Sequence, residues 1–281
     1  MATLNTVTSS TRPASPAAGE AYFETDTNKI IVWTGSEWTE IVSDTAPSFS
    51  NTYSVDLDGT NDYMSLPQGT FNIGSGLWTY SMWFTTDVTP SYNGLFNLNG
   101  SQNLQSSCYF TNATTIRVTD VNNINLNVNV GSVALNTWHH LLVTKYTNTG
   151  GSYAKLYFNG VLKGDGKYAN ITDFGTENRA HSIGRVDYNN GYYLNGKVDE
   201  IGFWNSSLSD GSVSTGQTAG GDVADIYNSG VPGDISSLSP VGWWRMGDND
   251  SGTGTTITDQ GSGGNDGTLT NGPTFSTDVP S

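Results

Sequence analysis

Tyr153-Ala-Lys-Leu-Tyr-Phe-Asn-Gly-Val-Leu162 is the stretch on which the fold class turns. Ala154, Leu156 and Phe158 alternate with Tyr153, Lys155 and Tyr157, and a period of two sends the two sets to opposite faces of a strand. Asn159-Gly160 comes directly after. A two-residue type I′ turn needs positive φ twice, and Asn-Gly is the pair that adopts it most readily, so the chain reverses and pairs with itself. Upstream, Trp78, Tyr80, Met82 and Phe84 alternate in the same way with Thr79, Ser81 and Trp83. Further strands are expected around 54–57, 63–66, 94–98, 115–119, 125–130, 138–146, 181–186 and 196–204. Short strands separated by turn signals every 8–12 residues or so are the pattern of a β-sandwich.

Composition agrees and narrows the function. The chain has 281 residues, of which 11 are basic and 26 acidic, for a formal charge of −15, yet only 13% are charged. Good helix formers are scarce, which excludes an all-helical fold. With 8 Trp, 14 Tyr and 10 Phe there is ample material for a core, which excludes wholesale disorder. Nucleic acid is not an expected partner, because phosphate neutralisation needs clustered Lys and Arg and the sequence has no such cluster. No apolar run approaches the roughly 18 residues that span a bilayer, so no membrane insertion is expected. The one cysteine, Cys108, permits neither an intrachain disulfide nor a thiolate metal site. The start, Met1-Ala-Thr-Leu-Asn-Thr-Val-Thr8, has neither a basic nor an apolar signal region. An extracellular-type composition without a secretory signal fits a virion protein, made in a host cytoplasm and exposed on the particle surface afterwards.

Four segments are expected. Residues 1–45 hold a polar arm and a small three-stranded β-meander, with strands at 22–25, 30–33 and 38–42 joined by loops of hairpin length. A meander of that size is not stable alone, so it must oligomerise, dock on another protein or pack on the downstream domain. Residues 46–52 read as a linker and 53–246 as the sandwich. Within the latter, Asp222-Val-Ala-Asp-Ile-Tyr-Asn228 is a short helix that Asp222 can cap and Gly230 and Pro232 end. Residues 247–281, rich in Gly, Asn and Thr, read as loop.

Five segments resemble the laminin G-like domains of the concanavalin A-like jelly rolls. In order they are Val55-Asp-Leu-Asp-Gly-Thr-Asn-Asp-Tyr63, Trp138-His-His-Leu-Leu-Val-Thr144, the hairpin strand Leu156-Tyr-Phe-Asn-Gly-Val-Leu162, Ser182-Ile-Gly-Arg185 and Gly196-Lys-Val-Asp-Glu-Ile-Gly-Phe-Trp-Asn205. The resemblance implies an all-β jelly-roll sandwich preceded by the meander. Thr11-Arg-Pro-Ala-Ser-Pro16, Gly19-Glu-Ala-Tyr-Phe-Glu-Thr-Asp-Thr-Asn28 and Trp33-Thr-Gly-Ser-Glu-Trp38 are similar to the N-terminal attachment unit of phage fibre and minor structural proteins. That likeness implies docking on other virion proteins through Tyr22, Ile31, Trp33 and Trp38, and self-association, with a trimer favoured. Val241-Gly-Trp-Trp-Arg-Met-Gly-Asp248 and Asp259-Gln-Gly-Ser-Gly-Gly-Asn-Asp-Gly-Thr268 resemble a stretch that opens many laminin G-like domains. Here it closes the chain, which leaves open whether strand 241–246 completes its own sheet or a neighbour's.

Several constellations could carry chemistry. Asp56, Asp58, Asn61 and Asp62 offer hard oxygen ligands suited to Ca²⁺, and the resemblance puts Asp199 and Glu200 on a strand that could approach them. The other reading makes Asp58-Gly59 a turn, with Asn61 and Asp62 capping the next strand. His139 and His140, adjacent on a strand, face opposite ways and do not share a metal; one is expected inside and one on the surface. Jelly-roll glycosidases need two carboxylates flanking the sugar bond, whereas Asp199-Glu200 on a regular strand would point them apart. No enzyme is therefore expected. The loop Asp187-Tyr-Asn-Asn-Gly-Tyr-Tyr193 sets Tyr188, Asn189, Tyr192 and Tyr193 together, and Tyr92 lies in a similar turn. Such tyrosines either stack on sugar rings or seal loop bases. The expectation is a non-catalytic phage virion structural protein, fibre-like or head-decorating, with a carbohydrate-binding adhesin or lectin for host-surface glycans as the alternative.

Overall fold

The computed structural model describes residues 5–27, 29–42, 49–71, 76–101, 104–119, 125–167, 181–187 and 191–281. The chain divides into two compact units, 1–49 and 50–281.

The first unit is a sheet of four strands, not three: Asn5–Val7, Ala21–Glu24, Lys29–Trp33 and Trp38–Val42, in that order. The polar arm supplies the extra strand, pairing in parallel with Ala21–Glu24. Its sequence has no apolar alternation because it is an exposed edge. Tyr22 lies opposite Ile31, and Trp33 opposite Trp38, so all four residues share one face. The Trp38 ring centroid is 5.6 Å from Tyr22 and 5.4 Å from Trp33. On the same face Glu24 is fully buried and accepts from Arg12 Nε at 2.6 Å.

The second unit is a jelly-roll sandwich of two large sheets. Sheet one runs Asn125–Asn129, Thr115–Thr119, Leu104–Asn112, Gly94–Ser101, His181–Ile183, Tyr63–Leu66, Gly267–Thr270, Thr256–Ile257. Sheet two runs Val161–Lys167, Gly151–Phe158, His139–Asn148, Trp78–Phe84, Asn195–Trp204, Ser54–Asp58, Thr274–Ser276, and Gly242–Trp244 also pairs with Asn195–Trp204. The hairpin forms as its sequence requires: Asn159 and Gly160 have φ of 49° and 73°, and Phe158 faces Val161. Leu156, Phe158, Tyr80, Met82, Phe96 and Phe110 fill the space between the sheets. Fully burying side chains of this kind stabilises the fold by about 1.5–3 kcal/mol each.

Sheet two is covered on its other face as well. Every residue of Trp78–Phe84 is buried, including Thr79, Ser81 and Trp83, which alternation alone would leave on the polar side. Residues 205–240 lie over that face. Thr79 Oγ1 donates to the Ser206 carbonyl at 2.8 Å, the Trp204 indole donates to the Leu238 carbonyl, and Tyr227 stacks on Trp83 at 5.9 Å. Tyr227 ends the helix Gly221–Tyr227, whose Val223 and Ile226 are buried. Asp222 does not cap it; its carboxylate instead accepts from the Ser209 amide. The helix closes at Asn228, in the left-handed region at φ 43°, ahead of the expected Gly230.

Residues 247–281 are not a loop. Thr256–Ile257 and Gly267–Thr270 extend sheet one and Thr274–Ser276 edges sheet two. Gly267–Thr270 and Thr274–Ser276 have remote partners, with Leu269 opposite Met64 and Phe275 opposite Val55, while Thr256–Ile257 pairs on Gly267–Thr270; segments of two to four residues carry no periodicity of their own. Strand Gly242–Trp244 completes this domain's own sheet two. Residues 50–52, read as linker, belong to the sandwich: Asn51 donates to Asp199 and the Thr52 amide to Asp248.

Candidate functional site

The acidic residues proposed for Ca²⁺ are employed locally. Asp58 Oδ1 accepts backbone N–H from Thr60 at 2.8 Å, Asn61 at 3.2 Å and Asp62 at 3.4 Å, which closes the turn at Gly59 and holds the Asp58 carboxyl below its usual range. Asp62 accepts from the Asp58 amide, and burial pushes its carboxyl up. Asp56 lies mid-strand opposite Lys197. Among the described residues no three His, Cys, Asp or Glu side chains are grouped so as to hold a metal ion.

Glu200 is committed elsewhere. The strand Asn195–Trp204 loses register between Asp199 and Gly202, and Glu200 sits in the bulge with φ 43°. The bulge cancels the alternation expected of a regular strand. Asp199 lies opposite Trp83, and Glu200 reaches Trp243 and Arg245, so both carboxyls occupy the outer layer of sheet two instead of pointing apart. Glu200 Oε2 accepts from the Trp243 indole at 2.7 Å and Oε1 from Arg245 Nε at 2.9 Å. Asp199 accepts from the Glu200 amide and from Asn51. Arg245 also donates to Asp248, which receives the Thr52 and Tyr53 amides. Burial raises the carboxyls of Asp199 and Glu200 above their usual range, with Arg245 opposing the shift at Glu200.

His139 and His140 do face opposite ways, yet both are buried. His139 stacks on Phe158 on the core side. His140 accepts or donates at 2.8 Å to Ser81 beneath Tyr227, and burial lowers its pKa to about 3. His139 is the inward-facing one of the pair, and the cover formed by 205–240 is the reason that the outward-facing His140 is not on the surface.

The tyrosines form a cluster on the outside of sheet one. Arg185–Val186 pairs with Tyr192–Tyr193 in a small hairpin that presses on Gly94. A methyl group there would lie 2.3 Å from the Tyr192 carbonyl oxygen and 2.5 Å from the Val186 nitrogen, so only glycine admits the contact. Asn93 donates to the Tyr193 carbonyl at 3.1 Å. Tyr92, in the left-handed region at φ 57° and half exposed, stands 5.0 Å from the Tyr192 ring. Tyr192 stands 5.5 Å from Tyr109, whose body is nearly buried. Tyr109, Arg117 and Asn127 are direct partners on three adjacent strands of sheet one, facing away from core residues Cys108 and Phe110. Arg117 donates to Asn127 at 2.8 Å and to the Tyr109 hydroxyl at 3.3 Å. Arg185 packs over Tyr63 and Tyr193 and is ion-paired with Asp187 at 2.8 Å.

Of the tyrosines marked in the sequence, Tyr92 and Tyr192 stand side by side, whereas Tyr193, next along the strand and so on its other face, packs beside Arg185. Tyr188 and Asn189 lie outside the described residues. Tyr109 and Arg117 were not singled out in the sequence; the signal was their outward alternation against Cys108, Phe110, Ile116 and Val118, joined by the short turn after Asn112.

The chain belongs to the concanavalin A-like lectin/glucanase superfamily: a laminin G-type family model of that superfamily matches residues 58–214. Among solved structures it is similar to a Bacteroides ovatus protein provisionally described as carbohydrate-binding, at 18% identity and a TM-score of 0.60, covering 94% of this chain and 71% of that one. More distant are a heptameric pentraxin from Limulus polyphemus (14% identity, TM-score 0.42, 57% of this chain and 78% of that one) and domain 4 of an extracellular arabinanase from Geobacillus stearothermophilus in complex with arabinotriose (18%, 0.45, 56% and 72%). No curated protein matches in sequence. No helix among the described residues is long and apolar enough to cross a membrane.

Proposed function

We propose that residues 50–281 are a non-catalytic carbohydrate-binding domain whose ligand lies on Tyr92 and Tyr192, beside Tyr109 and Arg117. The observation that carries this reading is the run of tilted tyrosine rings, 5.0 and 5.5 Å apart, on the outside of sheet one. Aromatic faces accept the CH faces of sugar rings, and the flanking amide and guanidinium groups fit sugar hydroxyls. Membership of a superfamily of lectins and glucanases supports it. The carboxylates of Asp199 and Glu200 are buried and engaged by protein donors, which supports binding without hydrolysis. A glycan array with the full chain, followed by calorimetry, tests the reading: saturable binding that is lost in Tyr192→Ala supports it, and silence across the array at high valency overturns it.

The first unit favours a second, compatible reading, display on a virion surface. Tyr22, Ile31, Trp33 and Trp38 share one sheet face; Ile31 is buried, and the part-exposed rings of Tyr22, Trp33 and Trp38 beside it suit docking on other virion proteins, with trimeric self-association. Mass spectrometry of purified virions tests this role, and absence of the chain from the particles overturns it.

A further inference from the structure

We propose that the saccharide bound at the tyrosine site is anionic, and that Arg117 reads its carboxylate or sulfate. The inference rests on the carbohydrate-binding reading above and adds the ligand's charge.

The grounds are the company Arg117 keeps. Arg12 is paired with Glu24 at 2.6 Å, Arg185 with Asp187 at 2.8 Å, and Arg245 with Glu200 and Asp248 at 2.9 Å. In a chain with 26 acidic and 11 basic residues, an arginine finds an acid readily. Among the described residues Arg117 has none: its partners are the Asn127 amide oxygen and the Tyr109 hydroxyl, with its guanidinium carbon 5.8 Å from the Tyr109 ring. Those two bonds use Nε and one Nη1 hydrogen. A guanidinium has five N–H donors, so three remain, including both on Nη2. The bonds also fix its plane. The result is a pre-oriented fork beside the aromatic run, and a fork of that shape matches a carboxylate or sulfate in two parallel bonds.

A neutral hydroxyl could also accept from Arg117, but it presents one oxygen and no charge, whereas a carboxylate or sulfate meets the fork with two oxygens and a full opposite charge. The formal charge of −15 opposes the approach of an anion. At about 0.15 M salt, however, fields are screened beyond roughly 8 Å, whereas a contact pair is not. The global charge therefore slows encounter and leaves the local pair intact.

The test uses the full chain and oligosaccharides of uronic acids (fragments of polygalacturonate and alginate), each compared with the same material after reduction of its carboxylates to primary alcohols. The expected result is an affinity about tenfold or more higher for the acidic form, a discrimination that disappears in Arg117→Gln and returns in part in Arg117→Lys, with unchanged thermal melts showing that the variants fold. Equal binding of both forms, binding of neutral glycans alone, or an acidic preference that survives Arg117→Gln overturns the inference and leaves carbohydrate binding standing. Failure of every acidic and neutral glycan to bind overturns both.

Discussion

Trp243 donates its indole N–H to Glu200 across 2.7 Å, and this bond ties a strand near the end of the chain to the bulge in the middle of sheet two. Arg245 takes the other Glu200 oxygen and links it to Asp248, which in turn holds the amides of Thr52 and Tyr53. These contacts make a clamp that joins the residues just ahead of the sandwich's first strand to the bulge and to Asp248. Removing one partner of a buried, hydrogen-bonded ion pair costs about 3–5 kcal/mol, because the other charge is left uncompensated. Arg245→Ala is therefore expected to lower stability by about that amount in chemical denaturation, and a loss below about 1 kcal/mol would show that the clamp is peripheral.

The same cluster sets a pH dependence. Burial raises the carboxyls of Asp199 and Glu200, the latter to about 7. The folded state thus holds these protons more tightly than the unfolded chain, so the stability they lend is present at low pH and lost as pH rises from about 4.5 toward 7 and above. Carboxyls held low, such as Asp58 and Glu24, act in the opposite sense, and their stabilisation is lost as pH falls below the usual carboxylate range. The melting temperature is expected to peak in mildly acidic buffer and decline toward pH 8. Asp199→Asn should flatten the decline, and an equally steep decline in that variant contradicts the assignment.

Gly94→Ala is expected to impair the site more than the fold. Its methyl group would meet the Tyr192 carbonyl oxygen and the Val186 nitrogen of the paired segments Arg185–Val186 and Tyr192–Tyr193 at 2.3–2.5 Å, and backbone gives way less easily than a side-chain tip. The hairpin must lift and carry Tyr192 away from Tyr92 and Tyr109. Glycan titrations should show weakened affinity with the two-sheet core retained by near-ultraviolet circular dichroism, and wild-type affinity would remove Tyr192 from the site.

Tyr92 is half exposed and packs mainly on Tyr192, so Tyr92→Ala should leave the melting temperature unchanged. As an aromatic anchor at a binding site it should cost more than about 1 kcal/mol of affinity, roughly five- to tenfold. An unaltered dissociation constant would place the ligand elsewhere.

Calcium provides a control. Asp58 already closes its turn with three backbone N–H bonds, and Glu200 serves the clamp. Glycan affinity is expected to be the same in EDTA and in CaCl₂, and a Ca²⁺-dependent rise in melting temperature would give Asp56, Asp58 and Asp62 a metal role.

The sandwich was legible because its signals are local. Alternation through Trp78–Phe84 and Gly151–Phe158, and the Asn159-Gly160 turn, each act within ten residues or so. The strands Gly267–Thr270 and Thr274–Ser276 were not, because segments that short are stabilised by partners some 200 residues away, and Thr256–Ile257 in turn pairs on Gly267–Thr270. The site was half legible. Tyr92, Tyr192 and Tyr193 stand out in polar loops, while Tyr109 and Arg117 look like any outward pair on a strand until the register sets them beside Tyr192.

By itself the sequence determined the fold class, the hairpin chemistry and the exclusion of all-helical and intrachain-disulfide alternatives, since these come from composition, period and turn preference. Only the tertiary structure decided what each carboxylate and each aromatic ring does. The bulge at Glu200 broke a period of two that no single strand reveals, and the cover of 205–240 buried a face that alternation marked as polar. Arg117 acquired its role from its partners, an amide and a phenol in place of an acid. Burial, register and the choice of counter-charge are properties of contacts between distant segments, and they exist only once the chain has closed.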